Sequence, residues 1–235
     1  MDRLIDLVVS DLHLGQAPCP ISRNFLALLD SVQGQVAHLV IAGDLFEAWL
    51  GDDLANAFEH QIAAAIAAVG ADQTSFLPGN RDFLIADDWA RRADLTIRDQ
   101  VDLTVSTCPT LITHGDELCL DDEAYQAWRR TCRNPEWQSA FKAQSADQRV
   151  AFAAQARAQS QARGGQQESV IADVAQRALG PGNRIHGHTH RPAIHRNGAT
   201  RVVIGDWRPQ AWVFVNDERP HLGLWDHGWQ ARIDL

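Results

Sequence analysis

Residues 5–14, Ile5-Asp6-Leu7-Val8-Val9-Ser10-Asp11-Leu12-His13-Leu14, decide how the rest of the chain is read. A short, mostly apolar run of strand length stops abruptly at a serine, an aspartate and a histidine. Open α/β sheets gather their ligands just beyond the carboxyl ends of strands, so the run predicts a strand over 5–9 that delivers Asp11 and His13 to a site. An extended Asp-x-His triplet would put both side chains on the same side of the strand exit.

The same punctuation repeats along the chain. Strand-like runs over 38–42, 74–77, 110–113 and 184–186 each lead into a polar cluster. The clusters are Gly43-Asp44-Leu45-Phe46-Glu47, Pro78-Gly79-Asn80-Arg81-Asp82, Thr113-His114-Gly115-Asp116 and His186-Gly187-His188-Thr189-His190. Helical patterns fall over 21–31 and 54–69, and further strands over 101–106, 201–205, 211–215 and a Trp-bearing pair running to Leu235. Between Asp121 and Leu179 the strand signal stops. Ala and Gln dominate, Tyr125, Trp128 and Cys132 recur at helical spacing, and Gly164-Gly165 breaks the pattern. The reading is one α/β domain over 1–235 with a helical cap inserted at 121–179.

Composition removes several classes of function. The chain has 235 residues, 21 basic against 30 acidic, and a net charge of −9, so it lacks the basic surface that coats nucleic acid. Lys142 is the only lysine, which excludes a P-loop and leaves anion binding to arginine. Cys19, Cys108, Cys119 and Cys132 form no C-x-x-C pair and read as reduced thiols in the cytosol. The first apolar run is too short for a signal peptide, and no later run reaches the length of a membrane span. Peripheral contact with a membrane surface stays open, since it needs only an amphipathic or lipid-accepting face.

Carboxylate, amide oxygen and imidazole without thiolate suit Mn²⁺ or a similar divalent ion better than structural zinc. Asp44 could bridge two such ions, and a two-metal centre activates a bridging water and clamps a phosphoryl oxygen for in-line displacement. Each cluster alone has a plainer reading. Asp11 and His13 fit a turn aspartate and a half-buried histidine, and His114 fits a satisfied core histidine. Three strand-spaced imidazoles at 186, 188 and 190 point more strongly to a metal.

Taken in order, D-x-H, G-D, G-N-R-D, H-G-D and G-H-T-H resemble the calcineurin-like metallophosphoesterases over nearly the whole chain. The longer strings at 10–14, 42–53, 79–84, 114–122 and 186–192 resemble the branch of that family acting on UDP-2,3-diacylglucosamine in lipid A synthesis. The resemblance implies a four-layer α/β/β/α sandwich and a pair of divalent ions, Mn²⁺. Asp11, His13, Asp44 and His190 would hold one ion, and Asp44, Asn80, His114 and His188 the other. It also implies a lipid-linked UDP-sugar as substrate, with the protein lying peripherally on the cytoplasmic side of the inner membrane. Many relatives continue G-N with His; Arg81 stands there instead. A phosphate monoester leaving group needs little help from a general acid, whereas a guanidinium neutralises a diphosphate.

Asp122 matches a residue that contacts the glucosamine and equally fits a helix N-terminal carboxylate. Ser160 falls where relatives place a cap serine. Beyond it the chain departs from the pattern: Gly164 and Gln167 replace an asparagine and a lysine, so either Arg163 takes over the anion contact or the cap binds a different headgroup. Trp128, Trp137, Phe141 and Phe152 fit either an acyl-chain pocket or helix-to-helix packing. Cleavage of another nucleotide diphosphate conjugate or phosphodiester, or a non-catalytic scaffold, remain as alternatives.

Overall fold

A computed structural model describes residues 4–163, 173–208 and 210–235. Strand β1 (Ile5–Val9) pairs in parallel with β2 (Val36–Ile41), which continues to β3 (Gln73–Phe76) and the two-residue β4 (Thr96–Ile97). On its other edge β1 pairs antiparallel with β10 (Ala211–Asn216), followed by β11 (His221–Trp225) and β12 (Trp229–Asp234). A second sheet runs in the order β5 (Val101–Val105), β6 (Cys108–Ile112), β7 (Asn183–His186), β9 (Ala199–Val203), β8 (Ala193–Asn197).

The two-residue period of β1 separates two cores. Leu7 and Val9 pack with Phe25, Leu28 and Leu29 of α1 (Pro20–Ser31) and with Ile62 and Ile66 of α2 (Ala57–Ala68). Val8 points the other way and shares a cluster with Val40, Val101, Ile112, Ile185 and Val202, residues from both sheets. The sheets therefore pack face to face, with helices outside, as the α/β expectation requires.

Local chemistry explains where the elements depart from the expected bounds. Helix α2 starts at Ala57 because Asn56 accepts hydrogen bonds from the N–H groups of Phe58 and Glu59, while Glu59 accepts from the N–H of Asn56. The residues before it form a separate 3₁₀ turn, Asp52–Leu54. Helix α3 (Asp87–Arg92), β4 and β8 were not anticipated: the first two are too short to show a period, and β8 is an edge strand carrying His195, Arg196 and Asn197. Asp52 accepts from the N–H groups of Ala86 and Trp89 at 3.1 and 2.9 Å, and so holds the start of α3.

Three helices occupy much of the stretch between β6 and β7: α4 (Glu123–Cys132), α5 (Pro135–Lys142) and α6 (Ala146–Arg163). Gly164, Gly165 and Gln167 lie outside the described residues. Trp137 stacks on Phe141 at 5.0 Å, Phe141 meets Phe152 at 5.2 Å, and Trp128 meets Trp137 edge-on at 5.1 Å. These four aromatics pack on one another and reach the main core through Phe141. The buried Arg149, in the first turn of α6, ties the segment to the 50–53 stretch, donating to Leu50 O at 2.8 Å and pairing with both oxygens of Asp53. Among the described residues no helix is long and apolar enough to cross a membrane.

Candidate metal centre

All seven side chains expected as ligands converge beyond the ends of β1, β2, β3, β6 and β7. Five of the seven do not arrive on extended backbone. Asp11, His13, Asp44, His188 and His190 all adopt left-handed backbone, with φ of 56°, 51°, 52°, 63° and 54°. Such conformations cost a non-glycine residue of order 1–3 kcal/mol and persist only where the surroundings impose them. The common side shared by Asp11 and His13 thus comes from two left-handed residues flanking Leu12, correcting the extended triplet. The backbone is imposed by hydrogen bonds from Asp11 N to Gly43 O (3.0 Å) and from His13 N to Asp44 O (2.9 Å), which tie the first two ligand loops together.

Close approach depends on glycine at two points. A Cβ on Gly79 would sit 2.1 Å from Asp44 Oδ1, and one on Gly187 would sit 2.2 Å from Asp11 Oδ2. The latter oxygen accepts from Ser10 Oγ at 2.6 Å and from His188 N at 2.9 Å. Asp44 Oδ1 accepts from Arg81 N at 2.8 Å.

The ring nitrogens show what the cluster requires. His114 Nδ1 donates to Ala42 O at 2.8 Å, which leaves Nε2 facing Asn80 Oδ1 at 3.2 Å and Asp44 Oδ1 at 3.7 Å. Two acceptors face the lone pair of a third, so a proton or a cation has to lie among them. His188 Nδ1 approaches the same Asn80 oxygen at 3.0 Å. On the other side His13 Nε2 and His190 Nε2 are 3.2 Å apart, with Asp11 Oδ1 3.5 Å from His190 and Asp44 Oδ2 3.9 Å from His13. Asp11, His13 and His190 form one group with metal-binding geometry, and Asp11, Asp44 and His114 another. The donor set of carboxylates, amide oxygen and imidazoles therefore fits hard or borderline divalent ions.

Electrostatics agree. Burial works against a charged His114, but Asp44, Asp11 and Asp116 overcome it and push the imidazole up to about 9. Burial likewise opposes charge on His13, yet Glu47, Asp44 and Asp11 raise it. His188 behaves oppositely: burial and the neighbouring His114 bring it down to about 3. The pocket attracts positive charge while keeping one imidazole neutral.

Other expected residues are placed less centrally. Half-exposed Arg81 lies with Nη1 3.9 Å from Glu47 Oε1, whose partner Oε2 is 3.5 Å from His13 Nδ1. Asp122 caps α4, accepting from Tyr125 N at 2.9 Å. The side chains of Ser160 and Arg163 lie outside the described residues. His186, first of the three imidazoles, is a framework residue: its Nδ1 donates to Gly187 O at 2.8 Å and its Nε2 accepts from Arg201 Nη1 at 3.2 Å.

Two groups escaped the sequence reading. Asp82 is fully buried and accepts from the N–H groups of Leu45 (2.7 Å), Gly79 (3.0 Å), Asp44 (3.2 Å) and Phe46 (3.4 Å), clamping the Asp44 loop to the Asn80 loop. Asp116 is also buried and accepts from Tyr125 Oη and from Arg129 Nε at 2.8 Å. Tyr125 and Arg129 of α4 and Arg133, the residue that caps it, recur every four positions, and that spacing was the available signal.

The calcineurin-like phosphoesterase family profile matches residues 7–192. The chain is 39% identical to a UDP-2,3-diacylglucosamine hydrolase of Chromohalobacter salexigens over 96% of this chain and 98% of the relative. It is 45% identical to a protein of the same name from Xanthomonas oryzae pv. oryzae over 90% of this chain and 94% of the relative. Among solved structures it resembles a single mutant of Vps29 from Entamoeba histolytica, at 14% identity, a TM-score of 0.49 and 99% coverage of both chains. With the profile spanning the ligand loops and relatives aligned nearly end to end, the chain belongs to the calcineurin-like phosphoesterase family.

Proposed function

We propose that this chain hydrolyses the diphosphate of UDP-2,3-diacylglucosamine, yielding UMP and 2,3-diacylglucosamine 1-phosphate. The observation that carries the reading is the convergence of His114 Nε2, Asn80 Oδ1 and Asp44 Oδ1 beside the facing pair His13 and His190. Its substrate comes from the relatives, which bear that enzyme's name. Asp11, His13, Asp44 and His190 would hold one Mn²⁺ ion, and Asp44, Asn80, His114 and His188 a second. When bound, the ions supply Lewis-acid stabilisation of the phosphoryl oxygens and an activated water.

The chain's own residues provide the remainder. A P–O bond forms from water to the α-phosphorus and the bridging P–O bond breaks. The departing sugar 1-phosphate is a weak base, so no general acid is needed and Arg81 can stand where relatives carry histidine. Its guanidinium would offset charge on the diphosphate, and its backbone N–H, donating to Asp44 Oδ1, ties the Arg81 loop to that carboxylate. Asp122 would bind the glucosamine, Ser160 would contact the substrate from the cap, and Arg163 would take over the anion contact.

Two acyl chains anchor such a substrate in a bilayer, so the enzyme would work as a peripheral protein on the cytoplasmic face of the inner membrane. Phe152, 37% exposed on α6 and beside Trp128 and Phe141, would offer that contact an apolar side chain. The test is incubation of the Mn²⁺-loaded protein with UDP-2,3-diacylglucosamine and with its unacylated UDP-sugar counterpart, products being followed by mass spectrometry. UMP from the diacyl substrate alone, and none from the His114→Ala variant, is the expected result. Cleavage only of a generic phosphodiester would move the protein to another substrate.

A further inference from the structure

Helix α4 and the residue that ends it touch three of the ligand loops at once. Arg133 donates through Nη2 to Pro78 O and Gly79 O, both at 2.9 Å, the two carbonyls immediately before Asn80. The same nitrogen lies 3.7 Å from Asp116 Oδ2, two residues after His114. One turn back Arg129 holds Asp116, and two turns back the Tyr125 ring stacks near His188, with centroids 6.0 Å apart and planes 27° apart. Gln126 adds a hydrogen bond to Asp116 O at 2.8 Å. Arg133 itself is fixed in place, its guanidinium carbon 5.2 Å from the centre of the Phe83 ring.

Asn80, His114 and His188 are the residues that the two-ion reading assigns to the second ion apart from the bridging Asp44. We infer, resting on that reading, that Arg133 is a positioning residue for the second metal site: its paired hydrogen bonds to Pro78 O and Gly79 O hold the Asn80 loop in ligating position, so helix α4 sets the affinity of that ion. The sign of its effect separates this role from simple electrostatics. A guanidinium near a cation site repels the cation, so deleting its charge should tighten binding. Deleting a hydrogen-bonded brace should loosen the ligand it holds and weaken binding at that site alone.

The experiment is Mn²⁺ titration of the chelator-treated full chain by calorimetry, with electron paramagnetic resonance reporting whether two Mn²⁺ ions are exchange-coupled. Wild type, Arg133→Met, Arg133→Lys and Arg129→Met are compared, and folding is checked by melting temperature. Wild type should bind two ions, and one that binds a single ion would defeat the two-ion reading and with it this inference. Arg133→Met should bind one ion within about threefold of wild type and the other at least tenfold more weakly, with the coupled signal lost. Arg133→Lys, which can still donate to one carbonyl, should fall between. Arg129→Met, which removes a charge but no carbonyl contact, should bind both ions at least as tightly as wild type. Two tightly bound, coupled ions in Arg133→Met would overturn the inference. So would equal weakening of both ions in a folded Arg133→Lys protein.

Discussion

His13 and His190, separated by 177 positions, present their Nε2 atoms to each other at 3.2 Å. Two imidazole nitrogens at that distance share either a proton or a cation, and Asp11 beside them favours positive charge between the rings, which a divalent ion would supply. Mn²⁺ should therefore raise the melting temperature of the chelator-treated protein by about 5–10 °C at saturating concentration. His13→Ala and His190→Ala should each remove the share of that rise owed to one ion, and the double variant little more, because both side chains serve the same ion. Independent, additive losses measured by thermal shift would show that the two rings do not share a ligand.

Because nearby carboxylates lift His114 from 6.5 to about 9 in the metal-free fold, protonation contributes to stability. The sign follows from linkage: a group whose folded value lies above its unfolded one stabilises fully below the unfolded value, and that contribution disappears as pH rises through the folded one. Chelator-treated wild type should thus lose stability between about pH 6.5 and pH 9 relative to His114→Gln, which has no such proton. Urea melts at several pH values would reveal it; a pH-independent difference between the two proteins would contradict the assignment.

Asp82 offers a stricter test of how the site is built. Four backbone N–H groups point at its two oxygens, so Asp82→Asn turns one acceptor into a donor facing other donors. The cost should be about 2 kcal/mol or more, since buried donors left without an acceptor are expensive. Metal affinity should fall as well, because the same carboxylate joins the loops of Asp44 and Asn80. A variant as stable as wild type in denaturant melts, binding Mn²⁺ unchanged, would show that the loops stay together without it.

How much of this was legible beforehand follows from the range of each interaction. The ligands could be read because each sits directly after an apolar strand run, and both signals are local in sequence. Asp82 sat inside a quoted motif, but its partners Leu45 and Phe46 are more than thirty positions away, and nothing in a linear string says that four N–H groups will turn towards one carboxylate. The left-handed backbone at five ligands was hidden for the same reason, since aspartate and histidine give no glycine-like warning. His186 shows the converse: spacing alone grouped it with His188 and His190, whereas the neighbouring strand's Arg201 claims its ring.

The aromatic cluster of the helical segment distinguishes packing from substrate binding by position. Phe141 is 3% exposed and belongs to the main core, whereas Phe152, 5.2 Å away by ring centroid, is 37% exposed. An aspartate at 141 places a charge among Trp137 and core side chains and should destabilise the whole protein by several kcal/mol, about the cost of a buried, unpaired charge. At position 152 the charge can reach water, so Phe152→Asp should fold and keep its turnover of a small chromogenic phosphodiester. Its rate on the diacyl substrate should drop at least tenfold if that face receives acyl chains, because a charge there repels hydrocarbon. Equal rates on both substrates in a folded Phe152→Asp protein would return all four aromatics to helix packing alone.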